Sequence, residues 1–310
     1  MKTPIGAWAL LFVTPAMFAA NILVARLAAG WLPPLALTFW RWFFTALLAC
    51  ALAAGAVRAS WPAMKREAPA SFLLGAIGMT LCGAAAYLAG EHTSAVNIGL
   101  IYAGSPVVMI LLAHAFLHEP LGPLRITGIV LCIAGIVAIV ARGDLATLRG
   151  LAINRGDVWA LAGSLGWAVY SFLLRRLKTQ LDVTVRFAWL CVAGAAAAAP
   201  FALGEWAAGK RFEFSAASAG LLALTVFFAS YGSYVLYARL QQKAGVAFAG
   251  LAIYLTPLFA ALYGWMFVGE RCAATTRSAC CSCFAASGWP GARRVANEGW
   301  RAARRRSAGS

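Results

Sequence analysis

Two stretches of this chain, 151 residues apart, repeat one pattern: "SPVVMILLAHAFLHEP" at 105–120 and "TPLFAALYGWMFVGER" at 256–271. Pro106 pairs with Pro257 and Glu119 with Glu270, and "WAL" at Trp8 recurs at Trp159 with the same offset. Repeated apolar segments require two copies of one unit packed against each other. Such an inner repeat is the sequence mark of a secondary transporter with its substrate between the halves.

The segments are long enough to cross a bilayer. Apolar runs lie at about 5–28, 35–57, 70–90, 95–117, 121–141, 154–176, 184–204, 218–239 and 245–268. Each is near the roughly 20 residues that cover about 30 Å of hydrocarbon. With 62% hydrophobic and 12% charged residues, the chain reads as an integral membrane protein. The spans must be helices, because lipid offers backbone N–H and C=O groups no partner. The expectation is an all-α fold of nine readable spans, five in the first copy and four in the second. An odd number of spans per copy makes the two copies enter the membrane from opposite sides, as inverted repeats.

Lys and Arg in the loops set the orientation. With the N-terminus inside, nine cations (Arg58, Lys65, Arg66, Arg125, Arg175, Arg176, Lys178, Arg239, Lys243) face six outside (Arg26, Arg142, Arg149, Arg155, Lys210, Arg211). The net charge of +16 is spread over loops and tail. A nucleic-acid binder would gather it on one face. The chain has no GxxxxGK[ST] loop and no acid pair beside a nucleophile, so neither ATP-driven pumping nor an enzyme is expected, and no cofactor. Cys272, Cys280, Cys281 and Cys283 cluster in the tail without a nearby His, which argues against a metal site.

At the offset of 151, the fifth span should recur at 272–292, where "CAATTRSACCSCFAASGWPGA" stands instead. This stretch is poor in large apolar residues and carries Arg277, so it reads as a lost tenth helix. Two readings remain. Residues 271–310, with eight Arg and one Glu, are a natural disordered basic tail, or the reading frame has slipped after Glu270. Joining the third base of each codon to the next two turns Cys280–Cys281 into Leu whichever Cys codon is used. It gives a Leu-rich segment with two Gly seven apart, like Gly128 and Gly135 of the intact copy. If the frame slipped, sequencing the coding DNA will show a one-base shift restoring a membrane helix, and the chain as it stands is impaired.

The repeat motifs, "GIVLCIAG" after the first of them, the opening helices "WALLFVTPAMFAANILVAR" and "DVWALAGSLGWAVYSFLLRRL", and "FWRW" at 39–42 resemble the drug/metabolite transporter superfamily, EamA type. The resemblance covers about residues 1–270. It implies ten helices in two inverted five-helix repeats, here 1–141 and 154–270, followed by the unrelated 271–310. It also implies a carrier of small metabolites in a bacterial inner membrane. The partners are then a small molecule and lipid; nucleic acid is not expected, and a second copy of the chain is the other partner considered. A non-transporting membrane scaffold or a membrane enzyme is the alternative.

Several residues are candidates for the site. Arg41, between Trp40 and Trp42, is either a contact for a substrate carboxylate or an Arg reaching the headgroups. Asn21 is a cavity contact or an interhelical hydrogen bond. Tyr102, Trp167, Tyr170, Tyr234 and Tyr254 lie on spans equivalent to the family's cavity helices and are expected to wall a pocket for an amphipathic metabolite. Pro106 and Pro257, with Pro15 as a third, are expected to kink helices around it. Glu119 and Glu270 end equivalent helices, where the macrodipole disfavours an acid, so a structural contact to the next helix is expected. Arg26 is expected to snorkel. His114 and His118 read as an interfacial pair rather than a proton relay.

Overall fold

The computed structural model describes residues 5–117, 130, 154–244 and 246–270. The first-copy fifth span, His118, Glu119 and residues 271–310 lie outside them. The described residues are helical. The first repeat contains α1 (Ile5–Leu27), α2 (Pro34–Leu52), two short helices α3 (Ala54–Ala59) and α4 (Trp61–Arg66), α5 (Ala68–Gly90), α6 (Ala95–Tyr102) and α7 (Ser105–Leu117). The second contains α8 (Arg155–Arg176), α9 (Val183–Ala207), α10 (Ala216–Leu240) and α11 (Val246–Tyr263). Among the described residues, seven helical stretches are long and apolar enough to cross a membrane, with a shorter apolar helix at Leu255–Val268.

Shifting each long first-repeat helix by 151 residues lands on its second-repeat counterpart: α1 on α8, α2 on α9, α5 on α10, and α6–α7 on α11. Irregularities follow the same offset. α5 carries a π-helical stretch at Ala76–Leu81 and α10 one at Leu224–Gly232. The packing is exchanged in the same way. α2 packs on its counterpart α9, α1 packs on α11, and α8 packs on α7.

Local capping explains where the helices begin. Ser94 accepts from Asn97 N at 3.2 Å, Asn154 from Gly156 N at 3.0 Å, and Asp182 from Thr184 N at 3.0 Å. Ser215 and Ser218 form a reciprocal capping box. The bonds from Thr184 also hold the Asp182 carboxyl below its ordinary range.

Contacts between helix ends establish the inversion. Glu270, just past the end of α11, accepts from Ala95 N at the start of α6 at 3.1 Å. These are fourth-span ends of the two repeats, one C-terminal and one N-terminal, on one membrane face. Glu205, near the end of α9, likewise accepts from Ala36 N at the start of its counterpart α2 at 2.8 Å. Asp157, at the start of α8, accepts from Thr93 Oγ1 at 2.7 Å, and Thr93 directly follows α5, whose C-terminal end therefore shares that face. The face bearing Glu205, Asp157 and Glu270 is called the acidic face below. On the opposite face Glu67, before α5, accepts from Thr179 Oγ1 at 2.6 Å and Gln180 N at 2.9 Å.

Pro106 and Pro257 occupy equivalent places but differ in effect. α6 stops at Tyr102 and α7 starts at Ser105, so Pro106 sits in the first turn of a new helix. α11 runs through Pro257, and α1 through Pro15, without a break. A proline supplies no N–H to the carbonyl four residues earlier. In the first repeat Ser105 Oγ donates to Tyr102 O at 2.8 Å in that gap. In the second, the carbonyl left by Pro257 is that of Ile253, and Thr256 Oγ1 donates one residue earlier, to Ala252 O at 3.2 Å.

Candidate functional site

A cavity of about 100 Å³ lies where the two repeats meet. One water needs about 10–15 Å³ of such space. α1 contributes Phe18, Asn21 and Ile22; α2 contributes Arg41 and Trp42; α5 contributes Gly78, Cys82, Gly83 and Ala86. Tyr102 and Ser105 come from α6 and α7, Trp167 from α8, Ala229 and Tyr234 from α10, and Ile253 and Thr256 from α11. Both π-helical stretches therefore reach the wall, where the widened turn breaks the regular helical ladder. Ser105 and Thr256, the residues before the two equivalent prolines, face the same space. Among the described lining residues α9 contributes none, although its counterpart α2 supplies the one that is charged.

Arg41 is 4% exposed and held inside the bundle. Its Nε donates to Ser230 Oγ at 2.7 Å and its Nη1 to Asn21 Oδ1 at 2.7 Å. Longer contacts of 3.4 Å run from Nη1 to the Tyr87 hydroxyl and from Nη2 to Ala229 O. The guanidinium also lies 4.4 Å from the Trp42 ring centre. Tyr87 OH donates to Asn21 Oδ1 at 2.9 Å, so the amide oxygen takes two short bonds. Asn21 is thus both a lining residue and an interhelical hydrogen-bond partner.

An aromatic wall shares the cavity. Phe18 meets Trp167 and Tyr234 edge-on at 6.2 and 6.0 Å, and Trp42 meets Tyr234 at 6.1 Å. Tyr102 donates to Cys82 O at 3.0 Å, and Trp42 Nε1 to Met79 O at 2.7 Å.

The structure brings Asn21, Arg41, Tyr102, Trp167 and Tyr234 together in this wall. Tyr170 is 3% exposed and packs behind it, 5.4 Å from Trp167 and over Gly78. Tyr254 is on α11, and its side chain lies outside the described residues. Glu270 meets the N-terminus of α6, the equivalent helix of the other repeat. Arg26 does not reach outward: its Nε pairs with Glu270 Oε1 at 2.8 Å and its Nη1 donates to Gly90 O. Sequence reasoning passed over Phe18, Cys82, Ser105, Ser230 and Thr256. A Ser in the apolar run "FFASYGSY" was the available signal for Ser230.

The sequence matches the EamA-like transporter family over residues 6–141 and again over 154–288. The chain belongs to the EamA-like transporter family. An uncharacterized transporter of Archaeoglobus fulgidus is 26% identical over 262 residues, covering 84% of this chain and 89% of the relative. The uncharacterized transporter YyaM of Bacillus subtilis is 23% identical over 242 residues, covering 77% of this chain and 78% of YyaM. A crystal structure with a TM-score of 0.61 and 19% identity covers 91% of this chain and 98% of the other, and shares the fold. The EamA-like repeat accounts for the pairing of helices at the offset of 151. This chain is a multi-pass membrane protein of a transporter family.

Proposed function

We propose that the chain is a secondary carrier that moves a small amphipathic metabolite, such as an amino acid, outward across a bacterial inner membrane by alternating access. The observation that carries this reading is the cavity at the seam of two inverted repeats, lined from both and holding a buried Arg. Rocking one repeat against the other around such a site exposes it to each side in turn. The N-terminus is assigned to the cytoplasm. The face opposite the acidic one carries Arg58, Lys65, Arg66, Arg175, Arg176, Lys178, Arg239 and Lys243, a cationic excess of the kind that stays inside. The repeats are assigned to 1–141 and 154–270. Asn21, Arg41, Tyr102, Trp167 and Tyr234 are assigned to substrate contact, with Tyr170 and Tyr254 in support.

The test is flux in proteoliposomes made with the chain and with a version whose last helix is restored in frame. Time-dependent release of at least one labelled amino acid or small amphipathic solute, absent from empty vesicles, is the expected result. No flux of any member of a broad panel by the restored version would overturn the carrier reading. Loading the label inside or outside vesicles of known protein orientation reads the direction.

A further inference from the structure

We propose that the cavity selects monovalent organic carboxylates with an apolar or aromatic body, and binds them at the guanidinium of Arg41. The proposal rests on the carrier reading of the cavity and narrows the amphipathic metabolite to carboxylic acids without a charged amine, which makes zwitterionic amino acids the weaker substrates.

Among the described residues lining the cavity, Arg41 is the one charged residue and its neighbours there bear no carboxylate. The acids Glu205, Asp157 and Glu270 are engaged with helix starts at the acidic face. The ion pair found among the described residues is Arg26 with Glu270, not one with Arg41. A buried cation without an anion is costly in a membrane. Hydrogen bonds to Ser230 and Asn21 reduce that cost without supplying negative charge. An anionic ligand supplies it.

The free donors match a carboxylate. A guanidinium has five N–H groups. Nε and one Nη1 hydrogen are held at 2.7 Å, whereas Nη2 makes only a 3.4 Å contact to Ala229 O. The planar fork suits two carboxylate oxygens, and charge-assisted bonds of this kind are about twice as strong as neutral ones. Phe18, Trp167 and Tyr234 then provide the surface for the ligand's apolar body. An ammonium finds no carboxylate among the described residues of the wall, and the Asn21 oxygen is already occupied by Arg41 and Tyr87. A zwitterion therefore binds less well than a simple monoanion of the same shape.

The probes are benzoate, its near-isosteric amide benzamide, benzylamine and phenylglycine, titrated calorimetrically into the detergent-solubilised full chain. Benzoate is expected to bind at least about 10-fold more tightly than the other three. Arg41→Gln is expected to abolish that preference, and Arg41→Lys to keep part of it. Benzamide or benzylamine binding as tightly as benzoate, or no measurable benzoate binding, overturns the proposal. So does an unchanged preference in a folded Arg41→Gln protein. The unmodified protein alone decides the matter if that variant does not fold. Flux separates the two readings. A protein that carries neutral or zwitterionic solutes and ignores benzoate remains a carrier without this selectivity. One that prefers benzoate but carries nothing keeps the selectivity and loses the carrier role.

Discussion

Gly194→Ala in α9 will destabilise the protein, whereas Gly204→Ala, later in the same helix, will leave stability unchanged or raise it. A Cβ at Gly194 would stand 2.4 Å from Met79 Cβ and 2.8 Å from Met79 Cγ. Met79 is fully buried on the π-helical stretch of α5, and Thr80 beside it donates to Gly194 O at 2.8 Å. Opposite, Gly75 is equally tight, with Gly194 N 2.6 Å from its own would-be Cβ. The two helices touch backbone to backbone, as small residues allow inside membranes. Adding a methyl forces them apart, and overpacking of this kind costs about 1–3 kcal/mol. A Cβ on Gly204 meets nothing within 4 Å, so there the change adds only helix propensity, worth up to about 1 kcal/mol. Thermal melting of the two variants in detergent, followed by monodispersity, reads the difference. Equal melting temperatures would refute the packing argument. The strain also reaches the cavity, since Met79 O holds the Trp42 indole that lines it.

Those glycines illustrate how far the sequence could be read. Runs of about 20 apolar residues fix helices because a bilayer leaves the backbone no alternative. The offset of 151 then pairs the helices, and it also places the two π-helical stretches correctly without announcing them. The cavity was legible where a polar or aromatic residue interrupts an apolar run: Asn21, Arg41, Tyr102, Trp167 and Tyr234 all stand out against Leu, Ala and Val. Their partners were not. Ser230 matters because a widened turn of α10 brings it to Arg41 from 189 residues away, and no local pattern encodes that pairing. Tyr170 went the other way. It shares a helix with Trp167, but Gly78 leaves a slot that its ring fills behind the wall. The prolines differ for a reason beyond the motif: Ala103 and Gly104 form a turn before Pro106, whereas Leu255 and Thr256 stay helical before Pro257.

Removing the Glu270 carboxylate will open the acidic face. Glu270 Oε1 meets Arg26 Nε at 2.8 Å, and the carboxylate accepts from Ala95 N at 3.1 Å. One side chain of the second repeat thereby ties down two helices of the first, α1 and α6. The proposed alternating access requires these ties to break when that face opens. Both side chains are partly exposed, 24% for Arg26 and 12% for Glu270, so the ion pair contributes at most about 1 kcal/mol. Loss of the acceptor at the start of α6 costs about another 1 kcal/mol, as for other helix caps. In Glu270→Ala the two together shift the balance of closed and open states by about 10- to 30-fold. Cys82, in the cavity wall, is a native reporter. With the other cysteines replaced, its modification by a membrane-impermeant thiol reagent applied to the acidic face should accelerate by that factor. Glu270→Gln keeps an acceptor for Ala95 N but loses the ion pair, so its rate should fall between. High salt should speed the unmodified protein and leave Glu270→Ala unchanged, because only the former has a charge pair to screen. An unchanged rate in Glu270→Ala, or an increase only from the face opposite the acidic one, would mean that the tie holds the fold together without gating the cavity.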